Sequence, residues 1–524
     1  MGVIAAAAYV NTLGNGYALD DVDIVRDNPN LRSVANVPLL FATPYWPDGS
    51  GTDSGLYRPV TLSTFAVDRA VFGSDPAGAH GVNVALHALV SILAWFAARR
   101  VGTRYGTALL AALLFAVHPI HAEAVANLVG RSELLAGAGV LAAWLCHRRS
   151  PEAPSRGRSL AWDLAAALSY GLAVLSKETA ILAPLVFLAD DLRAVGGSGP
   201  RTARAGNVRA WVMFAAALVA TLAMRVAVLG GVRGAADAIP VDNPVVDAGA
   251  FARCATALWI QVRYALLMVW PARLCSDYSF DAIPVVRTAL DPRFAAGLLF
   301  TLGIAALVVH GWRRRSPVLV GATLWIAFFL PTSNLIFPVG ALMAERFAYL
   351  PSLGFCVLAG HLGASLAGAG GRARRLRQAT VVTAILALVA LGARTWHRNP
   401  AWKDNASLAL HDVRIMPRSA KLQAGAGIVL AERGERASAE RHFLAALAIY
   451  PDYAQVHYNL GILLSRRGAW SGAVEHLLRS SVLSPANPRA LEALSRVVED
   501  PSLPEDLRRR VERHLATAGR ARTF

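Results

Sequence analysis

Apolar residues in this chain come in blocks, and the blocks recur from its start to about residue 396. Segments near 82–98, 105–117, 132–146, 159–176, 179–190, 210–229, 294–311, 318–331, 347–367 and 379–395 approach the roughly 20 residues a helix needs to cross a ~30 Å hydrocarbon core. Residues 1–13 form one more run, too short to span; it reads as a truncated first helix, with no cleavable signal peptide. With 55% hydrophobic residues and a mean hydropathy of +0.41, the chain is too apolar for a soluble enzyme. The expectation is an all-α, polytopic membrane domain of about eleven helices over residues 1–396.

A net charge of +17 suggests nucleic acid at first sight, but the arginines sit in short clusters between apolar blocks rather than in a stripe interleaved with aromatics. They read as cytoplasmic anchors at 99–104, 147–158, 193–209, 312–315 and 372–377, and no nucleic-acid partner is expected. A crossing at 253–270 would force Arg313 to Arg315 outside and bury Arg263 at a cost of about 2.5–3.5 kcal/mol, so that segment reads as an interfacial helix. The N-terminus is then cytoplasmic and the C-terminus outside. The Ala, Arg and Gly bias suits a GC-rich bacterial genome, and the expected location is the bacterial inner membrane. None of the four cysteines lies in a CxxC pair, which argues against a disulfide scaffold or a structural zinc; Cys254 and Cys275 are the two that would pair in an oxidising compartment.

This topology gathers the unusual polar residues on the outer face: Asp20, Asp21 and Asp23, then Arg58 and His80, then 118–131, Lys177-Glu178 and 344–352. Acids placed where a helix leaves the bilayer are costly unless they meet water or a partner, so the cluster marks a functional site. The plainer reading of Asp20 and Asp21 alone is a solvated helix exit or a helix cap.

Beyond residue 396 hydropathy collapses and a period appears. Gly427 and Gly461, Gly434 and Gly468, Ala439 and Ala473, and Pro451 and Pro485 are each 34 apart, the tetratricopeptide spacing. Residues 397–419 read as a linker and leading helix. Units follow at 420–453 and 454–487, with a degenerate one at 488–518, forming an α-solenoid whose groove takes a polypeptide.

The ordered motifs Asn15-Gly16-Tyr17-Ala18-Leu19-Asp20-Asp21, Tyr57-Arg58-Pro59, His118-Pro119-Ile120-His121-Ala122-Glu123, Gly130-Arg131-Ser132-Glu133, Lys177-Glu178-Thr179 and Glu345-Arg346-Phe347-Ala348-Tyr349-Leu350-Pro351-Ser352, ahead of these repeats, resemble the transmembrane and tetratricopeptide-repeat-containing O-mannosyltransferases and their bacterial relatives. The resemblance spans essentially the whole chain. It implies a GT-C-type helical bundle and a sugar donor carried on a polyprenyl phosphate in the bilayer. It also implies an acceptor polypeptide, and it places Arg58, Glu345 and Tyr349 in the donor site.

Transfer from a lipid phosphate to a hydroxyl requires no proton for the leaving group, but it does require a base for the acceptor. Asp21 is favoured as that base with Asp20 orienting sugar hydroxyls, though the two are interchangeable on sequence; Glu123 is a second acid. Arg131, Lys177 and Arg346 are candidates to stabilise the departing phosphate. His118 and His121 are more suited to hydrogen bonding sugar or phosphate than to a divalent metal, because His118-Pro119 breaks any helical ligand pair. No cofactor or metal site is expected. Glu178 and Glu345 read as partners of Lys177 and Arg346. The alternatives are a membrane-anchored repeat scaffold, a transporter and a lipid-linked-glycan ligase.

Overall fold

The computed structural model describes residues 1–47, 55–194, 202–231, 239–367 and 373–521, and every regular element among them is helical. Parts of the arginine loops at 193–209 and 372–377 lie outside the described residues. Helix starts follow local chemistry. Pro59, Pro76, Pro292 and Pro317 occupy first-turn positions where no N–H is needed, and Asp75 and Ser316 accept the Ala77 and Val318 N–H groups at 3.0 and 3.2 Å.

The chain divides into two compact units. The first comprises Met1–Ala238, Ala248–Ser276 and Val285–Ser407. Among the described residues seven of its helices are long and apolar enough to cross a membrane: Pro76–Arg100, Leu128–Glu152, Arg156–Ser176, Val208–Leu229, Pro292–Arg314, Glu345–Ser365 and Arg377–Trp402. An eighth span is available as the pair Tyr105–Val117 and Pro119–Ala126, bent by 46° at the His118-Pro119 step. Three of the expected spans are shorter. Gly2–Gly14 and Pro317–Thr332 are apolar but brief, and 179–190 is a 3-10 turn followed by the 12-residue helix Ala183–Ala194. That helix ends in buried acids: Asp190 accepts Trp144 Nε1–H at 3.1 Å and pairs with Arg193, while Asp191 meets His147. Ala250–Val269 is 20 residues long but is not among the helices that meet the crossing criterion.

Close packing depends on small residues. A Cβ on Gly139 would lie 2.8 Å from the Ser169 carbonyl of the neighbouring helix, so only glycine lets Arg131–Arg149 and Arg156–Ser176 approach this closely. Ala5, Val90, Phe115, Leu134, Tyr170, Phe187, Phe328 and Leu353 share one core. The long segment after the first helix has its own: Ile24, Val25, Leu31, Leu40, Tyr45, Leu62 and Phe65 pack with Leu128 and Val129. This loop is therefore a folded element, and it fixes the acids at its root.

The second unit comprises Ile239–Asp247, Asp277–Pro284 and Leu408–Phe524. Paired helices begin at Ala420 and Arg436, and again 34 residues on at Ala454 and Trp470; Arg489–Glu499 and Glu505–Ala521 follow. The phase has a steric cause: a Cβ on Gly427 would meet Phe443 at 2.6 Å, and one on Gly461 would meet Leu477 at 2.7 Å. The two short segments belong here although they precede the last membrane-length helices in the chain. The Ala420 N–H donates to the Phe280 carbonyl at 2.6 Å, Lys421 pairs with Asp242 at 2.7 Å, and Phe280 packs on Tyr450. Among the described residues no disulfide joins any two cysteines, so Cys254 and Cys275 are not bridged.

Candidate active site

Three ion pairs join charges that are remote in sequence. Arg346 Nη1 donates to Glu123 at 2.5 Å while its backbone N–H donates to the other carboxylate oxygen at 2.8 Å. Arg58 grips Glu178 through Nε at 2.9 Å and Nη2 at 2.5 Å, a bidentate match of guanidinium and carboxylate. Lys177 donates to Glu133, both buried. The two pairs read from sequence are thus exchanged: Lys177 pairs with Glu133 rather than Glu178, and Arg346 with Glu123 rather than Glu345. Burial alone would raise the Glu178 carboxyl, but Arg58 holds it well below its usual range; Arg58 is held above its own against the same burial. Burial pushes the Lys177 ammonium down, opposed by Glu133.

Asp20 and Asp21 have opposite fates. Asp21 is fully buried, and its carboxylate accepts the N–H groups of Val129 at 2.8 Å, Leu128 at 3.1 Å and Ala18 at 3.3 Å. It clamps the first loop to the 128–130 turn and has no face left for a substrate. Asp20 is half-buried, and among the described residues no hydrogen bond or ion pair engages its carboxylate. Its charge acts on the Arg346 guanidinium and on Tyr45. Of the two acids left interchangeable by sequence, Asp21, the favoured base, is the one engaged by backbone donors, and Asp20 is the one whose carboxylate nothing engages among the described residues.

Burial raises the Asp21 carboxyl to about 7 even against its three N–H donors. A carboxyl raised on folding binds a proton as the chain folds. Its contribution is complete below the unfolded value of about 3.9 and is lost as pH rises through the folded one. Thermal unfolding of the wild type should therefore fall more steeply between pH 4 and pH 7.5 than that of Asp21→Asn; parallel curves would show that the carboxylate is ionised throughout.

Several expected donor-site residues are committed elsewhere. Arg131 is fully buried: Nε donates to Asn83 Oδ1 at 2.8 Å, Nη2 to the Ala79 carbonyl at 2.8 Å, and Nη1 meets Asp68 at 2.5 Å above the Phe65 ring. It holds the loop to the bundle, with each guanidinium nitrogen engaged by the protein itself. His118 Nδ1 accepts the Ile120 N–H at 3.2 Å, so Nε2–H donates to the Met268 carbonyl at 2.9 Å. His121 Nε2–H donates to Ser352 Oγ at 2.7 Å, the Ser352 hydroxyl itself donating to the Tyr349 carbonyl. Tyr349 donates to His87 Nδ1 at 2.9 Å. Glu345 accepts the Cys275 N–H at 2.5 Å. His118, His121, Glu345 and Tyr349 are all essentially inaccessible. Among the described residues no group of three or more His, Cys, Asp or Glu is arranged to hold a metal.

The accessible members are then Asp20, Arg58, Glu178 and Arg346, with Lys177, Glu133 and Glu123 behind them. Sequence reasoning missed Tyr45, over which Arg58 stacks at 5.0 Å, and Arg225, which donates to the Gly55 carbonyl at 2.7 Å and whose charge reaches Arg58 and Glu178. Neither stands in a motif that would have marked it.

The helices and this charge cluster define a multi-pass membrane protein with one unengaged carboxylate set among buried ion pairs. By sequence, the chain is similar to the protein O-mannosyl-transferases of the TMTC type. The family described as "Protein O-mannosyl-transferase TMTC, DUF1736" matches residues 236–305. The chain is 30% identical over 479 residues to Protein O-mannosyl-transferase TMTC3 of Mus musculus, covering 86% of this chain and 50% of that protein. It is 30% identical over 452 residues to Protein O-mannosyl-transferase F38B6.6 of Caenorhabditis elegans (85% and 61%), and 30% over 482 residues to Protein O-mannosyl-transferase TMTC1 of Homo sapiens (84% and 54%). The chain spans half to three-fifths of the length of these relatives. Among solved structures it is similar to the oligosaccharyltransferase AglB of Archaeoglobus fulgidus, with a TM-score of 0.41 and 15% identity over 76% of this chain and 55% of that one. It is also similar to ArnT of Cupriavidus metallidurans, with a TM-score of 0.38 and 15% identity over 80% and 78%.

Proposed function

We propose that this chain is an inverting glycosyltransferase of the GT-C type, moving a mannose-like sugar from a polyprenyl phosphate to hydroxyls of extracytoplasmic proteins. The observation that carries the reading is Asp20: a half-buried carboxylate with no hydrogen bond or ion pair among the described residues, within reach of the Arg346 charge and at the root of a folded loop. The names of the relatives support a mannose-like sugar and a protein acceptor.

In this reading Asp20 takes the acceptor proton as the acceptor oxygen bonds to the anomeric carbon. The bond from that carbon to the phosphate oxygen breaks on the opposite side, inverting the centre. Negative charge grows on the departing phosphate, and Arg346 and Arg58 are the accessible cations that offset it. Glu123 and Glu178 hold them in place, so little reorganisation accompanies the transfer. The N-terminus is cytoplasmic, the site and repeats lie outside the inner membrane, and the repeat unit presents the acceptor.

The test supplies radiolabelled polyprenyl-phosphate sugars to membranes containing the full chain. Label should move to protein, and from the mannose donor first. Movement to lipid or polysaccharide instead would identify a ligase. No movement from any donor would leave a membrane-anchored repeat scaffold.

A further inference from the structure

Among the described residues nothing engages the Asp20 carboxylate, so its position is set by the residues on either side. Asp21 is fixed to the Leu128 and Val129 N–H groups. Leu19 adopts φ +51°, a left-handed conformation that a leucine takes only when its surroundings impose it. What imposes it lies just past the last membrane-length helix: the Leu19 N–H donates to Asn405 Oδ1 at 2.6 Å. The same stretch supplies the Lys403 carbonyl, which accepts the Gly16 N–H at 2.8 Å, and the Asn399 carbonyl, which accepts from Asn15 Nδ2 at 3.1 Å.

We infer that Asn405 is a positioning residue for the transfer, holding the Leu19 backbone in the left-handed turn that aims Asp20 at the acceptor. The inference rests on the reading of Asp20 as the base. Asn405 touches no substrate in this scheme; it acts only through the Leu19 N–H, and an acceptor oxygen at this position is all that it must supply. The stretch just past the last membrane-length helix, still within the first unit, thereby takes part in setting the catalytic geometry.

The test compares Asn405→Ala and Asn405→Asp in the full chain, at equal amounts of folded protein. Losing one net hydrogen bond should lower kcat about five- to ten-fold in Asn405→Ala, with the donor KM unchanged. Asn405→Asp keeps an acceptor oxygen and should restore most of the rate. Amide hydrogen exchange at residues 17–21 should quicken in Asn405→Ala and not in Asn405→Asp. A wild-type kcat in Asn405→Ala, a loss confined to KM, or unchanged exchange at Leu19 would each overturn the proposal. If the wild type itself transfers no sugar, the transferase reading fails, and exchange at Leu19 alone decides whether Asn405 anchors this turn.

Discussion

Asp20→Asn is expected to reduce sugar transfer by about 10²–10⁴-fold, the contribution typical of a well-placed general base, while leaving thermal unfolding in detergent where it is in the wild type. The two halves of that expectation come from the same observation. Removing the charge of a carboxylate that binds no other group among the described residues breaks no contact there, so chemistry is what is lost. Asp21→Asn should behave the other way. Its amide nitrogen would face one of the N–H donors of Ala18, Leu128 or Val129, so stability falls, and activity follows only as far as the loop loosens. Measuring kcat and Tm on both variants separates the roles. A folded, fully active Asp20→Asn would move the base to another group and remove the main support for the reading.

Arg131→Met is expected to be the most destabilising single change in the loop region, costing ~3–5 kcal/mol, because it leaves Asp68 without its cation. The loss also strips donors from Asn83 Oδ1, Thr64 Oγ1 and the Ala79 carbonyl, all in one buried spot. Adding Asp68→Asn should recover part of the stability, since the stranded charge is then gone. The measurement is thermal unfolding of both variants in the same detergent. If Arg131→Met unfolds like the wild type but binds donor poorly, then Arg131 acts on the phosphate, as its position in the sequence suggested.

The helical blocks and the 34-residue repeat were legible because each rests on periodicity, which survives without coordinates. The acids, too, were visible as a group. Their partnerships were not. Lys177 beside Glu178, and Glu345 beside Arg346, invite pairing by adjacency, yet successive residues on a helical or extended backbone point in different directions. Each therefore finds its partner on another segment: Glu133, Arg58, Cys275 and Glu123 in turn. The same geometry divides Asp20 from Asp21, sending one inward to backbone donors and leaving the other half-exposed. Sequence alone cannot say which of two neighbours takes which side. Asn405 had no signal at all, since one asparagine at the start of a helix looks like any other.

Because Asp242, Asp277 and Phe280 are built into the same compact unit as the helices after Leu408, that unit is threaded from three separate stretches of chain. A fragment starting at 408 would lose the carboxylates that hold Lys421 and the aromatic ring against Tyr450. Chimeras that graft the tail of one relative onto the body of another must therefore exchange 239–247 and 277–284 along with it, or the grafted tail will meet mismatched straps. Acceptor preference, where it resides in the tail, travels as a set of three pieces rather than as a detachable module.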